Sequence, residues 1–129
     1  MSKIYEVIKA ETEKSKKSFV ASFKKWQEGK THLEMGIELK EELEKMDELI
    51  GQMFLAFRGG LTLDETSDLR GDVTEALFNF NDCNVSDKDV AIAYVVKMIR
   101  PKIEKAWKKI HKEAWGNEEF IPSFVRAQF

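Results

Sequence analysis

The sequence is poor in the residues from which catalytic and cofactor sites are usually built. Its 129 residues include one cysteine, two histidines, two prolines and seven glycines. Cys83 has no second thiol to pair with, so no internal disulfide can form, and the chain fits a reducing compartment. His32, His111 and Cys83 are too few for a Cys/His zinc cluster, and neither histidine has a second ligand four residues on. The glycines are scattered. Neither GxxxxGK(S/T) nor GxGxxG occurs, which excludes a P-loop and a Rossmann phosphate cradle. Ser, His and Asp are present without a nucleophile elbow to join them. No run of about 18 apolar residues exists, so no transmembrane helix is predicted. Met1-Ser2-Lys3-Ile4-Tyr5-Glu6 carries no apolar signal core. The expectation is a cytoplasmic protein, not an enzyme, with no cofactor, no metal and no membrane partner.

What the chain has in quantity is charge and helix-forming residues. Hydrophobic residues make up 43% and charged residues 34%, the composition of a folded domain rather than a disordered chain. The net charge of −2 conceals a split: residues 1–30 carry +4, residues 31–89 carry −10 and residues 90–129 carry +4.

Hydrophobic spacing predicts an all-α fold, a helical bundle of four main helices over residues 1–116 with an aromatic C-terminal tail over 117–129. The first helix spans residues 2–27. Ile4, Val7 and Ile8 form an apolar patch, residues 9–18 are polar, and Phe19, Phe23 and Trp26 resume the stripe. The polar middle predicts that the first two turns fray or pack on a partner. Gly29 is placed to end this helix. The second starts at Thr31 and Glu34, a capping box. Leu39, Leu43, Met46, Ile50, Met53 and Phe57 then keep one stripe over about 27 residues, or roughly 40 Å. The third starts near Thr62, with Glu65 in the reciprocal position, or near Ser67. Leu69, Val73, Ala76, Leu77 and Phe80 face inward. Gly71 inside it costs about 1 kcal/mol against alanine and predicts a close helix crossing or a break. The fourth is capped by Ser86 with Asp89. Its stripe is Ile92, Val96, Ile99, Ile103, Ala106, Ile110 and Ala114, with a kink predicted near residues 98–100, before Pro101. The second and fourth helices are expected to run antiparallel. Their length is expected to leave apolar stripe at the ends for a homodimer.

Three constellations are candidate sites. Lys102, Lys105, Lys109 and Lys112 share one face of the fourth helix, with Arg100 and Lys108 beside them, and four ammonium groups so arranged can contact phosphates. An amphipathic helix needs a charged outer face in any case, with Glu104 and Glu113 interspersed here. Glu38 and Glu41, followed by Glu65 and Asp68, resemble the ExxE…ExxD pattern of all-α nucleoside-triphosphate pyrophosphatases. That resemblance implies carboxylates holding Mg²⁺ against a phosphate. In a segment with 15 acids among 59 residues such spacing also arises on a merely solvated face. The third is aromatic: Trp115, Phe120, Ile121, Phe124, Arg126 and Phe129 fall past the strong helical period and suit a partner interface. Trp26 and Trp107 are expected in the core.

Three stretches resemble a family of small helical domains encoded by phages and prophages, some found at the front of replication proteins. They are Lys17-Ser18-Phe19-Val20, Thr74-Glu75-Ala76-Leu77-Phe78-Asn79-Phe80, and Val96-Lys97-Met98-Ile99-Arg100-Pro101-Lys102-Ile103-Glu104. Together these stretches come to 20 of the 129 residues. The sequence departs from the family after Val20, and its long second helix is extra. The resemblance implies a phage-like origin and carries over no catalytic residue. The expected function is a non-enzymatic interaction protein that binds and modulates, by inhibition in its concrete form, a host defence or nucleic-acid-handling protein. The alternatives are a nucleic-acid-binding replication accessory and the Mg²⁺-dependent pyrophosphatase.

Overall fold

A computed structural model describes residues 2–56 and 59–115, the side chains of Val20, Ala21 and Trp115 excepted. Those residues form an all-α bundle of four helices: α1 (Lys3–Gln27), α2 (His32–Leu55), α3 (Leu63–Asn81) and α4 (Asp87–Trp115). Phe57, Gly116 and the whole of 117–129 lie outside the described residues, and with them the division into bundle and tail. No helix among the described residues is long and apolar enough to cross a membrane.

Local chemistry sets the ends. Ser2 Oγ accepts the Tyr5 N–H at 3.2 Å and caps α1. Thr31 caps α2 through the Glu34 N–H, while Glu34 takes the Thr31 hydroxyl rather than its backbone. Thr62 and Glu65 form a complete capping box on α3. Asp89 N–H donates to Ser86 Oγ and Ser86 N–H donates back to Asp89 Oδ2, at 3.2 and 3.1 Å. Each such cap satisfies helix-end donors that nothing else in the helix can reach, worth about 1 kcal/mol. Gly29 follows α1 with φ +72°, in the left-handed region. Gly60 is required for a different reason: a Cβ there would lie 2.1 Å from the Met53 carbonyl oxygen. Its absence lets the Leu61 N–H reach that oxygen at 2.9 Å and close the turn into α3.

Ion pairs and contacts fix the directions. Lys3 meets Glu113, Glu11 meets Lys102, and Phe23 and Trp26 meet Tyr94, so α1 runs antiparallel to α4. Gly36 approaches Phe80 and Asp47 pairs with Arg70, so α3 runs antiparallel to α2. His32 pairs with Asp87, Glu42 with Arg100, and Gly59 approaches Ile110 and Ala114. α2 and α4 therefore run parallel, not antiparallel as their matching stripes suggest. Each short connection reverses the chain, so helices two apart in sequence point the same way.

α4 is the central element and packs against the other three helices. It is buried well beyond its predicted stripe, at Val90, Ala93, Trp107 and His111 as well as at Val96, Ile99, Ile103 and Ile110. The α2 stripe Leu39, Leu43, Met46, Ile50 and Met53 is wholly inside. α2 has 24 residues, and the large apolar side chains it exposes, Leu33, Ile37 and Phe54, are not members of that stripe. Two further expectations change. Ile4 and Ile8 are 0% and 2% exposed, so the first turns of α1 sit in the core instead of fraying. α3 continues unbroken through Gly71, and no other element among the described residues comes within 4 Å of where its Cβ would be. α4 is a single helix through Pro101.

Candidate functional site

α1 and α3 touch at their N-terminal ends. Glu65, 7% exposed, accepts the Thr62 N–H with one oxygen and the Ser2 N–H with the other, both at 2.9 Å. It thus closes the α3 cap and ties α1 to α3. Burial pushes the Glu65 carboxyl up, but the hydrogen bonds from Thr62 and Ser2 outweigh it and hold the group below the usual carboxylate range. One turn on, Asp68 accepts from the Tyr5 hydroxyl and pairs with Lys9 at 3.0 Å. These two donors hold Asp68 below its ordinary value, and Tyr5 and Asp68 raise Lys9. The Lys9 ammonium also lies 5.1 Å from the Tyr5 ring centroid.

Beyond this seam the helices separate. The C-terminal half of α1 crosses to Tyr94, which receives Phe19, Phe23 and Trp26. A wedge-shaped cleft of about 440 Å³ opens between α1, α3 and α4. Its floor is apolar, with Ile92, Val95 and Ile99 of α4 over Met46 and Ile50 of α2. Its rim carries opposite charges on its two walls, Lys9 and Lys16 on α1 and Asp68 and Asp72 on α3. The side chains of Lys16 and Asp72 make no hydrogen bond or ion pair among the described residues. Sequence reasoning missed this cleft. The signal was the polar stretch at residues 9–18, whose exposed face spans a gap.

The pyrophosphatase quartet is not assembled. Antiparallel pairing of α2 and α3 puts Glu38 and Glu41 near the Phe80 end and Glu65 and Asp68 at the other. Glu38 pairs with Lys30, Glu41 with Lys45, and the α3 acids hold the seam just described. Among the described residues no group of three or more His, Cys, Asp or Glu side chains is placed to hold a metal.

The lysine face divides. Lys102 pairs with Glu11 at 3.7 Å, and Arg100 is drawn into the α2–α4 interface. Lys105, Lys109 and Lys112 are exposed and have no ion-pair partner among the described residues. His32 pairs with Asp87, His111 is buried beside Trp107, and Cys83 is exposed in the turn after α3 with φ +56°. Of the aromatic interface set, the Trp115 side chain, Phe120, Ile121, Phe124, Arg126 and Phe129 lie outside the described residues. Trp107 is core as expected. Trp26 is only half-buried, with the Lys30 ammonium 4.2 Å from its ring centroid.

No family model, no curated protein and no solved structure matches the chain.

Proposed function

We propose that the chain is a non-enzymatic interaction protein, acting in the cytoplasm, that binds and modulates a host protein through the α1–α3–α4 cleft. The observation that carries this reading is the cleft's make-up: an apolar floor open to solvent between a lysine wall and an aspartate wall. Its volume falls in the range of pockets that accept a compact apolar group. The matching ligand is an apolar side chain on an amphipathic helix of the partner, with an acid facing Lys16 and a base facing Asp72. Charges so placed fix register and suppress wrong partners more than they add affinity. Inhibition of a defence or nucleic-acid-handling protein is the concrete form, and the phage-like origin rests on the three resembling stretches.

The test is affinity capture from host lysate with the wild-type chain, then with Val95→Lys and Asp72→Lys. A protein retained by the wild type and lost by both variants, at unchanged far-UV helicity, supports the cleft. A partner held equally by both variants, or no partner at all, refutes it. A second reading, nucleic-acid binding, is favoured by Lys105, Lys109 and Lys112, which have no ion-pair partner among the described residues, and is tested by salt dependence.

A further inference from the structure

Among the described residues nothing accounts for a glycine at position 71. It lies exposed in mid-α3, in an unbroken helix, with open space where a side chain would be. Glycine is a poor choice there unless something from outside must approach the backbone. Its neighbours form a pattern. Leu63, Ser67, Gly71, Thr74 and Phe78 follow one another along the outer side of α3 and share a shallow groove with Phe54 of α2. Leu63 and Phe78 are 66% and 67% exposed, unusual for large apolar side chains with a core at hand. Both are equally distant in sequence from the Arg70–Gly71 peptide, and so are Ser67 and Thr74. These five positions are large at the ends and small in the middle and read alike in both directions; Thr66, Arg70 and Glu75 line the same groove, with Arg70 held to Asp47 of α2.

A surface of that kind fits a copy of itself turned end for end, which is the condition for an isologous two-fold contact. We infer that two copies of this chain associate through α3, crossing antiparallel at Gly71. Phe78 of each copy then enters the groove between Phe54 and Leu63 of the other. With no side chain at Gly71 and only small ones at Ser67 and Thr74, and with Arg70 turned to Asp47 of α2, the two helix axes come close enough for those end residues to meet. The groove shares no lining residue with the cleft that holds Asp68 and Asp72.

Sedimentation equilibrium of the full chain, from about 1 μM to about 1 mM, covers the range in which a small interface associates. A monomer–dimer equilibrium is expected. Gly71→Leu and Phe78→Glu are each expected to raise the dissociation constant about tenfold or more, as loss of a central or anchoring contact does. Gly71→Ala separates folding from association: the melting temperature of dilute protein rises while the dimer weakens. Gly71→Cys on a Cys83→Ser background is expected to give a covalent dimer on mild oxidation. A monomer across the whole range overturns the inference. So does a dimer indifferent to both Gly71→Leu and Phe78→Glu. So does a monomer that Gly71→Leu destabilises, which would seat the chain's own residues 116–129 on this face.

Discussion

Arg100 Nε lies 2.7 Å from Glu42 Oε2, and the two side chains are only 15% and 20% exposed. A residue that reads in sequence as part of a basic surface is therefore an internal tie between α4 and α2. Glu42 holds the Arg100 guanidinium above its ordinary value, and Glu104 adds a second contact at 3.0 Å. Removing Glu42 leaves a half-satisfied cation at a helix interface. Glu42→Ala is expected to cost about 2 kcal/mol, less than a fully buried pair because Glu104 remains. Glu104→Ala, an exposed i, i+4 partner, is expected to change stability by about 0.5 kcal/mol or less. Urea midpoints at constant m-value measure both, and equal effects would contradict the geometry.

The seam between α1 and α3 predicts a specific acid sensitivity. Glu65 and Asp68 are both depressed by hydrogen bonds made only in the folded state. A carboxylate depressed by folding contributes stability above its unfolded pKa and loses it as pH falls through the folded value. Stability should therefore decline below the ordinary carboxylate range. Glu65→Gln and Asp68→Asn should each flatten that decline while lowering stability near pH 7. Unfolding midpoints between about pH 7 and about pH 3 test this, and a wild-type acid slope unchanged in both variants would exclude the seam as its source.

Asp89 joins two elements with one carboxylate. Its Oδ2 accepts from the Ser86 backbone and hydroxyl and from Asn79 Nδ2 at 3.1 Å, and the residue is 3% exposed. Asp89→Ala removes the reciprocal half of the α4 cap and orphans the Asn79 amide at the end of α3. It is expected to cost about 2 kcal/mol, against about 1 kcal/mol for Ser86→Ala, which leaves the carboxylate in place. Denaturant unfolding of the two variants side by side gives the comparison.

These ties separate what sequence can reveal from what it cannot. Ser86 with Asp89 and Thr62 with Glu65 are local signals, three residues apart, and both are realised as hydrogen-bonded caps. The α2 stripe is equally local, and every described member of it is buried. Helix direction is not local: periodicity says which face of α2 is apolar but not that α4 runs beside it in parallel. The same limit explains the acids. Glu38, Glu41, Glu65 and Asp68 have a metal-site spacing along the chain, but antiparallel pairing of α2 and α3 carries the two halves apart. The cleft was hidden for the opposite reason. Ile92 belongs to the α4 stripe and Lys16 to a polar stretch, and only the packing of α1 against α4 brings them to one opening.

The exposed face of α4 gives the last prediction. Of the four lysines spaced along it, Lys102 is drawn to Glu11, while Lys105, Lys109 and Lys112 stay unpaired among the described residues. If nucleic acid binds here, three phosphates are neutralised, and the slope of log affinity against log salt for duplex DNA is then about −2.7. Between about 50 and about 200 mM salt that slope weakens binding roughly 40-fold. Lys105→Glu with Lys109→Glu should remove binding, whereas Lys102→Glu should leave most of it, since Lys102 already neutralises Glu11. Fluorescence anisotropy with a labelled duplex reads both the slope and the variants. A slope near −3.6 would place Lys102 among the contacts, and no binding at low salt would leave the lysines as the solvated outer face of α4.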